Sequence, residues 1–129
     1  MRTVWKVGRV DDDGRVVSSF MSRYKDLRRF TRVYRTARGA RLWVRRCMAF
    51  STPADAKAFA GGYLAQMCGW RIFRAECESA RSIRKVAYTG DNNIRAFERA
   101  DGYADGWRGF EAPPGTLYCK NLRIIEEVT

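Results

Sequence analysis

Arginine is the residue type that carries chemistry in this chain, and it is concentrated in one stretch. Between positions 23 and 46 stand ten basic residues, Arg23, Lys25, Arg28, Arg29, Arg32, Arg35, Arg38, Arg41, Arg45 and Arg46, against the single acid Asp26. A guanidinium presents a planar fork of donors to phosphates and carboxylates, and it stacks on flat π-surfaces. Twenty of the 25 basic residues are arginine, although lysine would serve solubility equally well. Aromatic residues are interleaved with this run: Tyr24, Phe30, Tyr34 and Trp43. Such a pattern suits a surface that stacks bases between phosphate contacts. Tyr24 and Tyr34 are expected on that surface, whereas Phe30 and Trp43 are expected to fill the core.

The other reactive side chains exclude more than they offer. There is no histidine, which removes Ser-His-Asp, Cys-His and His-Glu-x-x-His chemistry. Carboxylates remain for a metal-dependent phosphodiester cleavage (Asp11 to Asp13, Asp91, Asp101, Asp105, Glu126, Glu127), but no spacing among them marks a convergent pair. Asp11, Asp12 and Asp13 precede Gly14 and read as a solvated hairpin tip. Cys47, Cys68, Cys77 and Cys119 include no Cys-x-x-Cys pair, so four reduced, mostly buried thiols are expected rather than a zinc site. Gly61-Gly62 lacks the Lys-Ser or Lys-Thr of a phosphate loop, and no zinc-finger, helix-turn-helix or RNP pattern occurs. No metal or other cofactor is expected.

Charge divides the 129 residues unevenly. Positions 1–50 hold 14 basic and 4 acidic groups, a net of +10, and positions 51–129 hold 11 and 10, for a total of +11. Like charges at this density oppose folding and call for an anionic partner. No run approaches the roughly 20 apolar residues of a membrane span, and the first residues lack a signal-peptide core. A soluble cytoplasmic protein forming one domain over 1–129 is the expectation.

The elements that must position these residues follow from periodicity. Thr3–Val10 and Arg15–Phe20 read as a hairpin, Phe30–Arg35 as a third strand and Ala40–Phe50 as a fourth. Along the fourth, Leu42, Val44, Met48 and Phe50 share one parity, and Trp43, Arg45, Cys47 and Ala49 the other; neither is cleanly polar. Arg45 and Arg46 are placed where the covering of the strand ends.

Thr52-Pro53-Ala54-Asp55 joins a capping hydroxyl, a proline at the first helical position and a carboxylate three after the cap. An apolar stripe follows at Ala56, Phe59, Ala60, Tyr63, Leu64 and Met67, predicting an amphipathic helix over 53–67. Trp70–Cys77, Ser82–Tyr88 and Thr116–Val128 read as strands, the last with a bend near Lys120-Asn121. Glu78–Arg81 reads as a turn, Ile94–Ala100 as a second short helix, and Asp101–Gly115 as a long aromatic loop. The fold expected is α+β, a mostly antiparallel sheet of five to seven strands against one main helix.

Two functional classes fit. One is a non-enzymatic protein that binds DNA, RNA or a nucleoprotein complex through the 23–46 region. The other is an inhibitor or assembly factor that docks on an acidic protein, with Tyr103, Trp107 and Phe110 as an apolar anchor. A small, basic protein without catalytic motifs also fits the profile of phage and mobile-element accessory proteins. A metal-dependent nuclease is the lesser third.

Overall fold

The opening hairpin is built by its turn. Asp11 Oδ1 accepts from the backbone N–H groups of Asp13 (3.0 Å) and Arg15 (2.9 Å), while Gly14, at φ +83°, reverses the chain. That geometry joins β1 (Arg2–Val10) to β2 (Val16–Ser18), in register from Gly8↔Ser18 to Val10↔Val16. The strands approach so closely at Gly8 that a Cβ there would lie 2.8 Å from the Val17 carbonyl oxygen. The computed structural model describes residues 1–18, 32–61, 69–88 and 108–128, with 85–88 and 108–111 described by their backbone.

Beyond the hairpin the strands are β3 (Val33–Arg35), β4 (Val44–Phe50), β5 (Arg71–Ser82), β6 (Lys85–Tyr88), β7 (Arg108–Glu111) and β8 (Thr116–Val128). Six form an antiparallel sheet in the order β3-β2-β1-β4-β8-β5, and β6 pairs with β7 in a separate ribbon. The sheet curls back on itself, because β1 also pairs with β5 from Arg2↔Cys77 to Gly8↔Arg71. A bridge between Arg35 and Arg41 ties β3 to the approach to β4. Strands that curl in this way enclose one face and expose the other.

The enclosed face carries the main core, in which Val4, Val16, Tyr34, Cys47, Phe73, Cys77, Leu117, Cys119, Leu122 and Ile124 are almost wholly buried. Among the described residues one helix, α1 (Pro53–Ala60), covers part of the outer face. The Thr52 hydroxyl accepts from Asp55 N–H (3.1 Å) and donates to Asp55 Oδ2 (2.8 Å), so the cap forms as its sequence dictates. Ala56, Phe59 and Ala60 then pack over Trp5, Val7, Phe50 and Ile72. Phe59 sits between Phe50 and Trp70, with ring centroids 5.1 and 4.9 Å away.

The architecture is the expected α+β arrangement, an antiparallel sheet against one main helix, with three local corrections. Residues 78–81 do not turn: β5 continues through them, paired with β8 as far as Ser82↔Leu117. The region read as an aromatic loop contains β7, held by β6 in register from Lys85↔Glu111 to Tyr88↔Arg108. The fourth strand begins at Val44 rather than Ala40, because residues 40–43 still belong to the β3–β4 connection. The far end of the predicted helix (Tyr63, Leu64, Met67), the short helix over 94–100 and Cys68 lie outside the described residues.

Candidate functional site

A matched irregularity in two neighbouring strands brings the cations together. In β4 the buried–exposed alternation slips: Val44 is buried, Arg45 and Arg46 are both exposed, and Cys47 is buried again. In β8 the slip falls between Lys120 and Leu122, where Asn121 adopts a left-handed φ of +53°. The two slips face each other, since Val44 pairs with Leu122 and Arg46 with Lys120. Exposed side chains from both strands therefore emerge side by side.

On its other edge β8 adds β5, with Ser79↔Lys120 and Arg81↔Tyr118 in register. Arg46, Ser79, Ala80, Arg81, Tyr118 and Lys120 together line an open cleft of about 320 Å³. Its floor is Tyr118, packed with Met48, Ile83 and Ala112, and the Arg81 guanidinium lies 5.6 Å from the Tyr118 ring centroid. Three cations around an aromatic floor form an anion-accepting surface.

Just before β4, Leu42 and Trp43 are exposed, Trp43 to 51%. The Arg123 guanidinium stacks on the indole at 4.7 Å, and its buried Nε makes no hydrogen bond among the described residues. Stacking rather than hydrogen bonding therefore holds this pair. Exposed Arg41 and Arg45 flank Trp43 in the chain.

The aromatic expectations reverse at two positions. Tyr34, expected on the binding surface, is 0% exposed and fills the core. The physical reason is that its short strand is flanked on one side by β2 and on the other by the backbone at Arg41 and Leu42, so Tyr34 closes the end of the curl. Trp43, expected in the core, lies outside because the slip at Arg45–Arg46 reverses its phase relative to Cys47.

Of the predicted binding arginines, Arg38, Arg41, Arg45 and Arg46 are exposed. Arg32 and Arg35 are half-buried, with the Arg35 guanidinium 5.9 Å from the Phe73 ring centroid. Arg23, Tyr24, Lys25, Arg28 and Arg29 lie outside the described residues, as do Tyr103 and Trp107. Phe110 sits on β7 opposite Val86.

Among the described residues, the ion pairs between carboxylates and arginines lie away from Arg45, Arg46 and Lys120. Glu126 pairs with Arg74 (3.0 Å), Glu127 with Arg71 (3.6 Å), and Asp11 with Arg15 (2.8 Å). Partial burial disfavours charge on Asp11. Hydrogen bonds from the Arg15 backbone and side chain, with the Arg15 charge, outweigh that and hold its carboxyl below the usual value. On the β5 side two acids border the cationic field: Glu76, in register with Arg123, and Glu78, which accepts from Asn121 Nδ2. Among the described residues no carboxylate makes an ion pair with Arg45, Arg46 or Lys120.

The interior holds a group that sequence reasoning missed. Lys6 points into the core at 3% exposure, donates to the Met48 carbonyl (2.6 Å) and lies 5.1 Å from the Tyr34 ring centroid. Cys47, Cys77 and Cys119 are reduced thiols in the same core. Burial pushes the Cys77 and Cys119 thiols above their ordinary value, and for Cys119 the neighbouring Cys47 and Cys77 add to it. Among the described residues no group of three or more His, Cys, Asp or Glu is arranged to hold a metal ion.

No protein-family model, curated protein or solved structure matches the chain. No helix among the described residues is long and apolar enough to cross a membrane.

Proposed function

We propose that the protein binds nucleic acid, without catalysing a reaction on it, through the outer face of β4, β8 and β5. The observation that supports this reading best is the Arg46–Arg81–Lys120 cleft, where cations from three strands surround an aromatic floor. Phosphodiester oxygens are the anions that a row of such groups accepts, and release of their counterions drives association. Arg41 and Arg45 extend the field along the approach to β4, and the acids of the last strand are engaged with Arg71 and Arg74 instead. The exposed Leu42–Trp43 pair favours a second reading, an inhibitor or assembly factor seated on an acidic protein surface.

A pull-down from nuclease-treated and untreated lysates separates the two. Nucleic acid recovered only without nuclease supports the first reading. A stoichiometric protein partner that survives nuclease and moderate salt replaces it with the second. The purified Arg45→Glu, Arg46→Glu, Lys120→Glu variant should keep the wild-type circular dichroism spectrum and bind labelled oligonucleotides at least about tenfold more weakly. Unchanged binding would remove this face from the account.

A further inference from the structure

Trp43 is half exposed and stands three residues before Arg46, the placement of a base-stacking platform. We infer that the β4–β8 pair binds single-stranded nucleic acid, with one base stacked on Trp43 and backbone phosphate held at Arg46, Lys120 and Arg81. The inference rests on the nucleic-acid reading above and adds the form of the ligand.

The geometry runs along one ladder. Extending the pairing of Val44 with Leu122 and Arg46 with Lys120 by one residue sets Trp43 opposite Arg123, which matches the stacking of their side chains at 4.7 Å. Trp43 and Arg46 are three residues apart on one strand, so indole and phosphate cleft are separated by about 10 Å of backbone. A flexible strand spans both.

Two features fit an unpaired base better than a duplex. An exposed indole offers an apolar face, and every unpaired base has a complementary one, whereas paired bases are already stacked on their neighbours. The indole is also steadied before any ligand arrives, because the Arg123 guanidinium rests on it while half of Trp43 remains exposed. A side chain ordered in advance loses less entropy on binding. The Arg123 cation adds attraction for the base and for its phosphate. Glu76 and Glu78 on the β5 side repel phosphate and direct a bound strand along β4.

The test compares fluorescein-labelled oligo(dT) and oligo(U) with a duplex of equal length, by anisotropy, using the whole chain. Tighter binding of the single strands is expected. Trp43→Ala should weaken single-strand binding about tenfold and leave duplex binding within about twofold, with Trp43→Phe restoring most of the loss. Equal single-strand affinity for wild type and Trp43→Ala overturns the inference while leaving the nucleic-acid reading intact, and so does a duplex bound as tightly as the single strands. Failure of the wild type to bind any of the three ligands overturns both.

Discussion

Lys6, Cys47, Cys77 and Cys119 occupy one sealed interior, and their surroundings determine how they react. An ammonium in a core is tolerated only with partners, here the Met48 carbonyl and the Tyr34 ring. The Cys77 and Cys119 thiols stay protonated because burial disfavours thiolate, and the thiolate is the reactive form. Iodoacetamide at about pH 8 should therefore leave Cys47, Cys77 and Cys119 unmodified in the folded chain and label them after denaturation. Labelling at the same rate in both states, read by peptide mass spectrometry, would contradict their burial. The same shift bears on stability. Above the unfolded thiol value of about 8.5, the folded state keeps protons that the unfolded state has lost, so stability falls as pH rises. Denaturant midpoints measured from about pH 7.5 to 10 should decline, and Cys119→Ala should flatten the decline.

At this scale sequence reading succeeds where chemistry is local and fails where phase decides. Trp43 shares sequence parity with Cys47 and Ala49, which assigns it to the core. Two consecutive outward arginines break that parity, and nothing in the residue types announces the break. Lys120, Arg81 and Arg123 are missed for another reason. They belong to a half of the chain that is nearly neutral overall, and only the β4–β8–β5 register sets them beside Arg46 and Trp43.

At the scale of elements, the helix start was the most legible feature, because Thr52, Pro53 and Asp55 act within one turn. Replacing Thr52 with Ala strands the Asp55 N–H and should cost about 1 kcal/mol, measured by denaturant unfolding. The backbone irregularity at Asn121 in β8 was equally local, since Asn tolerates the left-handed conformation that it adopts there. The continuation of β5 through 78–81 was not legible: its residues favour a turn alone, and long pairing with β8 overrides them. Gly115 locks the helix to the start of β8. Its φ is +79°, its carbonyl accepts from Ser51 N–H at 2.9 Å, and a Cβ would fall 2.1 Å from Asp55 Oδ2. Gly115→Ala should therefore cost about 1–2 kcal/mol from the backbone conformation alone, and more because the capping carboxylate must move. A melting temperature equal to wild type would show that Asp55 and Gly115 are not in contact.

At the scale of the whole molecule, the described residues place part of the positive charge on the curled sheet. The described acids of the C-terminal half that form ion pairs, Glu126 and Glu127, do so with arginines of that same half. Arg46 meets Lys120 and Arg81 on the outside of the curl, with exposed Arg45 next to it in the chain, and the closed inside is apolar packing around Lys6. The excess of positive charge was legible from composition, whereas the meeting of Arg46 with Arg81 and Lys120 required the three-dimensional pairing of strands from opposite ends of the chain. The central claim is that this assembled field holds nucleic acid, and the salt dependence of affinity tests it most directly. Titration of a labelled oligonucleotide between about 50 and 200 mM salt should give a linear fall of log affinity with log salt, with a slope of roughly −2 or steeper for three phosphate contacts to a single strand. No binding at the lowest salt, or an affinity that does not change with salt, would contradict it.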